Sequence, residues 1–178
     1  MNCYKGHNVL TPKSDDEIRS RMGHMSTYDI YTSCLDSKNI DGINFVIKDR
    51  GIPHYIVSLL LDFAIKNINK PKANDILLKV LNQKIEPLII FNSIKLALEE
   101  EKFNIVDILM IHPNFDPTFN KNWLLRKSSG LGLYSIVKTL LEYDNVDPTE
   151  GNNEALRAAK IYNHKEIEKL LLADNRIK

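Results

Sequence analysis

The side chains of this 178-residue chain that are able to do chemistry near neutral pH are few and scattered. Five histidines, His7, His24, His54, His112 and His164, are the natural general bases and metal ligands, yet none stands in a His-Glu-x-x-His or similar ligand spacing. Cys3 and His7 lie four positions apart, close enough to share a helix face, but with Cys34 as the only other thiol they spell out neither a redox pair nor a full ligand set. Glu99-Glu100-Glu101 is a run of adjacent carboxylates, whereas acid and base work needs two that converge; it reads as a solvated helix corner. Gly130-Leu131-Gly132 lacks the third glycine and the preceding strand of a dinucleotide loop, so it reads as a turn. His164 has a ready structural place in a turn between helices. No nucleophile stands out, and the expectation is a protein that is not an enzyme and holds no cofactor and no metal.

The elements around these residues carry more information than the residues themselves. DPTFNKNWLLRKSSGLGLYSIVKTLL begins at Asp116 and DPTEGNNEALRAAKIYNHKEIEKLLL begins at Asp147, so the two copies are 147 − 116 = 31 residues apart. Without a gap they match Pro117 to Pro148, Asn122 to Asn153, Leu125 to Leu156, Arg126 to Arg157, Ile136 to Ile167 and Leu140 to Leu171. A fixed period of roughly 20 to 50 residues marks stacked supersecondary units. Phe91 to His112 falls on the same frame, with Ile94, Ala97, Ile105, Val106 and Leu109 one period before Leu125, Ser128, Ile136, Val137 and Leu140. Each copy holds two apolar-periodic stretches parted by a turn, at Gly130 and Gly132 in one and Asn163 in another, which predicts two antiparallel helices.

In the first helix the small residues Ala97, Ser128 and Ala159 share one site, where a neighbouring helix can come close. In the second, Ile167, Leu170 and Leu171 form a stripe that one pair cannot cover alone. Upstream the copies diverge. Leu60 to Lys66 with Asp75 to Leu81 read as a pair with a longer turn around Asn69 to Pro71, and Tyr28 to Asp36 with Ile40 to Lys48 as a further pair, with Ser33 at the small site. Residues 1–26 fit no unit and read as a flexible N-terminal lead, although Ser14-Asp15-Asp16-Glu17 has the form of a capping box compatible with a short helix. In the last copy Glu168 replaces Val137 and Lys160 replaces Ser129, as expected of a terminal unit that faces water.

Composition narrows the classes of function. With 24 basic and 23 acidic residues the net charge is +1, so no strong field draws the chain to phosphate backbones or anionic lipid. The apolar runs are shorter than the roughly 20 residues a membrane span requires, and the N-terminus carries charges where a secretory signal would be apolar. The expectation is no membrane, no nucleic acid, and a protein of the cytoplasm or nucleus.

Asn153 to Leu172 resembles an ankyrin repeat. Ala155-Leu156-Arg157 stands at the family's Pro-Leu-His tripeptide, Ala158-Ala159 at its alanine pair, Asn163-His164 at its Gly-His turn, and Glu166-Ile167 with Leu170-Leu171-Leu172 in its second helix. The linking Asp-Asn-Val-Asp-Pro-Thr is similar to divergent ankyrin repeats of large DNA viruses and some protists. The helix-opening Thr-Pro is missing, Arg126 and Arg157 replace the usual histidine, and the period falls short of the family's roughly 33 residues.

The resemblance implies an all-α, ankyrin-like solenoid over residues 27–178, with about five stacked helix-turn-helix units and short finger loops. It also implies a monomeric protein-protein interaction module whose partner, a host protein if the source is viral, meets the finger loops and the exposed faces of the first helices. Carried over by position, the partner-binding residues are Phe119, Lys121, Trp123, Arg126 and Lys127 in one unit and Glu150, Asn152, Glu154, Arg157 and Lys160 in the next. Trp123 either anchors the partner or packs under the adjacent finger. Arg126 and Arg157 either form a column of positive charge that favours an acidic segment or pair with nearby Asp and Glu. The alternative function is a helical-repeat RNA binder, for which only the Lys66 to Lys84 region hints at a basic stripe.

Overall fold

In a computed structural model the described residues, 23–177, form ten α-helices and one 3-10 turn, with no strand among them. The chain is all-α over this range. The helix expected from Ser14 lies outside the described residues. The helices are α1 Thr27–Asp36, α2 Ile40–Arg50, α3 Val57–Lys66, α4 Ala73–Leu81, α5 Pro87–Glu99, α6 Phe103–Met110, α7 Phe119–Leu131, α8 Tyr134–Leu141, α9 Glu150–Ile161 and α10 Lys165–Leu172, with the 3-10 turn His54–Ile56 leading into α3. They fall into two compact units that divide inside α6, after Val106.

One backbone device closes four of the five helix pairs. The Asn39 N–H donates to the Cys34 carbonyl at 2.9 Å, Lys102 to Ala97 at 2.7 Å, Leu133 to Ser128 at 3.0 Å and His164 to Ala159 at 2.8 Å. Just before each donor a residue sits in the left-handed region, Lys38, Glu101, Gly132 and Asn163, with φ of 53, 55, 77 and 60°. This is the Schellman closure, in which a reversal of backbone hand satisfies the last carbonyls of one helix and turns the chain into the next. The residue that accepts the bond is the small one at each site; in the first pair that is Cys34, one place beyond the Ser33 expected from sequence. The α3–α4 connection is longer and of another type, with its left-handed residue, Lys72, directly before α4.

In the first unit α1 packs on α2, α3 on α4 and on α5, and α2 on α4. Leu60, Leu61, Ala64, Ile65, Ile76, Leu77 and Val80 are buried between them, each large side chain worth about 1.5 to 3 kcal/mol. Two lysines tie the start and body of α4 to α2 at the surface: Lys72 to Asp41 and Lys79 to the Asn44 side-chain oxygen Oδ1, both at 2.7 Å. Ser26 caps α1 by accepting the Asp29 N–H at 3.1 Å, and Asn39 caps α2 through the Gly42 N–H at 2.9 Å.

In the second unit α7 packs on α8 and on α9, α9 on α10, and α8 on α10. First helix meets first helix and second meets second. Leu125, Ser128, Ile136, Val137 and Leu140 are buried, and so are their counterparts 31 residues on, Leu156, Ala159, Ile167 and Leu171; the exception is Glu168, which is half-buried and held by Lys165 at 3.3 Å. Arg176 closes this unit. Its guanidinium donates to the carbonyls of Leu141, Tyr143 and Val146 at 2.8, 3.2 and 2.9 Å, placing a cation where α8 ends, and binds Asp174 at 2.6 Å. The Arg176 hydrogen bonds hold the Asp174 carboxyl below its usual range.

Gly132 is the closure residue with a second constraint. A Cβ there would meet the His164 ring at 2.6 Å, while His164 Nε2 lies 3.0 Å from the Gly130 carbonyl and donates to it. Gly132→Ala therefore adds a left-handed penalty of about 1 to 2 kcal/mol to the cost of displacing His164. We expect chemical denaturation to show a clear loss for Gly132→Ala, shrinking toward the backbone penalty alone when the same change is made in His164→Ala. Equal losses in both backgrounds would mean the ring contact is not real.

Burial pushes the Cys34 thiol up to about 12 and, together with the nearby Cys34 and Tyr55, holds the Tyr31 hydroxyl above its ordinary value. Tyr31 donates its proton to the Gly51 carbonyl. Both groups are neutral when folded and ionise more readily when unfolded. Their contribution to stability is thus complete below about pH 9 and lost as the pH rises from there toward 12. In a Cys3→Ser variant the remaining thiol is expected to react with a disulfide reagent only as fast as the protein unfolds, and the urea midpoint should fall steadily above about pH 9.

Candidate functional site

The start of α7 and of α9 is built twice from the same parts. Asp116 Oδ1 accepts from the Thr118 N–H and hydroxyl at 2.9 and 2.7 Å, and Asp147 Oδ1 from those of Thr149 at 2.8 and 2.7 Å. Pro117 and Pro148 are buried between. Three left-handed residues follow each time, Asn120, Lys121 and Asn122 in one copy and Gly151, Asn152 and Asn153 in the other, before the right-handed helix begins at Trp123 or Glu154. Asparagine and glycine tolerate this backbone better than other residues. Asn122 then reaches across the pair boundary, its Oδ1 accepting the Asp147 N–H at 3.3 Å.

These turns set Trp123 and Glu154 at the mouths of two adjacent first helices, and an open groove of about 490 Å³ runs between α7 and α9. Gly130 and Ala158 form its floor. A Cβ on Gly130 would stand 3.6 Å from the Ala158 Cβ and the Tyr162 ring, so the groove owes its depth partly to the side chain missing there. Trp123, Leu131 and Tyr162 supply apolar walls, with Tyr162 65% exposed. Arg126, Lys127 and Glu154 complete the lining.

The charges in the groove do not act alike. Arg126 Nη1 binds Glu154 Oε2 at 2.7 Å, while its Nε and Nη2 donate to the carbonyls of Lys121 and Asn120 at 3.1 and 3.2 Å. It is a brace between two units and a cap on the left-handed turn. Lys127 is exposed and leaves the groove with a net positive charge.

Of the residues expected from sequence, the groove gathers Trp123, Arg126, Lys127 and Glu154. Phe119 and Glu150 are half-buried where their helices begin, Lys121 and Asn152 lie exposed in the left-handed turns, and Arg157 and Lys160 are exposed on α9 outside the groove lining. Gly130, Leu131, Ala158 and Tyr162 escaped sequence reading. A partial signal was the glycine at 130, where the copy one period on has the bulky Ile161. A second groove, about 740 Å³, lies along α6 and α8 and is lined by Met110, Phe115, Tyr143 and by Ile111, which is 82% exposed; it holds none of the expected residues.

Among the described residues no group of three His, Cys, Asp or Glu side chains is placed to hold a metal ion, and no helix is long and apolar enough to cross a membrane. No family model, curated protein or solved structure matches the chain.

Arg126→Ala and Glu154→Ala are each expected to lower stability, and a double-mutant cycle should return a coupling on the order of 1 kcal/mol, above that of a typical exposed pair because the guanidinium is already aligned by two carbonyls. Arg126→Ala should cost more than Glu154→Ala, since it also uncaps the turn. A coupling indistinguishable from zero in urea titrations would remove Arg126 from the scaffold.

Proposed function

We propose that the chain is an ankyrin-like array of helix pairs that works as a non-catalytic interaction module. It takes a segment of a partner protein into the groove between α7 and α9. The observation that carries this reading is the groove itself: an open channel with a glycine and alanine floor, aromatic walls at Trp123 and Tyr162, and an exposed lysine beside them. Aromatic side chains held on a rigid helix pair are good anchors, because they bury much area with little loss of side-chain freedom. Lys127 favours a segment with an acidic residue next to an apolar one.

The recurrence of the same turns, caps and closures 31 residues apart supports the solenoid reading, as does the packing of first helix on first and second on second within each unit. About five pairs with abbreviated finger loops, in the cytoplasm or nucleus, or in those of a host cell if the source is viral, complete the proposal. The RNA-binding alternative loses ground in the Lys66 to Lys84 region, where Lys72 and Lys79 are already engaged by Asp41 and Asn44.

The deciding experiment compares proteins captured from lysate by the native chain with those captured by a Trp123→Ala, Lys127→Glu variant shown by circular dichroism to be folded. We expect the specific partners to disappear from the variant. Recovery of the same set by both would place the binding surface elsewhere. Steep salt-dependent RNA affinity of the native chain would favour the alternative.

A further inference from the structure

We infer that the outward face of α9 and α10 is a docking surface for helix α1 of a second copy of this chain, joined through Arg157 and Asp29. The argument is independent of the groove. Two side chains of α7 cross to the next helix pair: Asn122 accepts the Asp147 N–H at 3.3 Å, and Arg126 binds Glu154 at 2.7 Å. Their counterparts in α9 are Asn153 and Arg157. Asn153 Oδ1 lacks a hydrogen-bond donor among the described residues but is covered within its own chain, whereas Arg157 is exposed with no ion pair among the described residues. Beside them Ile161 and Leu172 are 75% and 53% exposed. On this face Arg157 therefore repeats the half of an ion pair whose other half, Glu154, α9 itself supplies to α7.

That missing half needs a carboxylate at the position of Glu154, five residues before the one whose carbonyl closes the pair. Closure bonds fix this register. The residue five before Ala97 is Asn92 and the one five before Ser128 is Trp123, whereas five before Cys34 stands Asp29. In α3, which lacks this closure, the place five before Ala64 holds Leu59. Besides α9, α1 alone presents the required charge. Asp29 is exposed, and only its Oδ2 is occupied, by the Ser26 hydroxyl at 2.6 Å, which leaves Oδ1 for a guanidinium. Ser33 and Ser37 occupy the positions that Ala158 and Tyr162 hold in α9, so the α1 face is small and polar, open to the projecting Ile161. Pairing α1 of one chain with α9 and α10 of another joins two different surfaces, which is heterologous, so association is stepwise and grows with concentration.

Sedimentation velocity over a concentration series tests this. The native chain is expected to sediment faster as its concentration rises, an effect weakened by salt. Arg157→Glu alone and Asp29→Lys alone should each remain monomeric, because each brings like charges together. An equimolar mixture of the two should associate again, since every junction in it pairs opposite charges. If Asp29→Lys does not fold, Asp29→Asn takes its place as a single variant, with reduced association expected. A native chain that stays monomeric up to its solubility limit overturns the inference, and so does association that survives Arg157→Glu or, with both charge variants folded, is not restored by mixing.

Discussion

A short helix pair cannot cover its own apolar stripe, and everything else in this molecule follows from that deficit. Ile136, Val137 and Leu140 on α8, and Ile167 and Leu171 on α10, are buried in the second unit, where α8 and α10 pack against each other and each against its own first helix. Within the second unit the requirement is met by packing α7 against α9 and α8 against α10. The repeated closures serve that end: a single left-handed residue and one long backbone bond return the chain antiparallel at the same place in four pairs, whatever residue happens to stand there. Lysine, glutamate and asparagine accept a strained backbone at this point, which shows how strongly the surrounding packing dictates it.

The boundary between successive first helices has its own hardware. The Asp-Pro-Thr turn and the left-handed triplet aim Asn122 at the next turn and Arg126 at the next helix, so the α7–α8 and α9–α10 pairs are locked by one hydrogen bond and one ion pair as well as by apolar contact. This locking redirects a residue that its charge alone would assign to binding. Arg126 spends its donors on Asn120, Lys121 and Glu154, and the positive column imagined from Arg126 and Arg157 is broken at its first member. What is left open is the space between the helices. It is floored by Gly130 and Ala158 and edged by the rings of Trp123 and Tyr162.

The helix pairs were legible because their signal is local: apolar residues at three- and four-residue spacing, and a period long enough to compare copies. Ala97, Ser128 and Ala159 were readable as one structural site for the same reason, and all three are buried. The register slipped by one at Ser33 and Cys34, where no second copy of close sequence was at hand to align. The left-handed triplets at 120–122 and 151–153 were hidden in plain view. Their Asn and Gly content is the right clue, but a turn of that hand followed at once by a right-handed helix has no periodicity to reveal it.

Sequence by itself determined the all-α class, the limits of most helices within a few residues, the recurrence at 31 residues and the set of apolar side chains that must be hidden. These depend on neighbours along the chain, whose spacing is written in the order of residues. Tertiary structure alone decided which charges are bound, that Tyr162 forms a wall of the groove, that Arg176 reaches back to seal α8, and that Asn153 lacks a donor among the described residues. The partners in those contacts lie roughly a full repeat apart along the chain. Electrostatics and hydrogen bonding act over a few ångströms of space, so no pattern of adjacent letters encodes them.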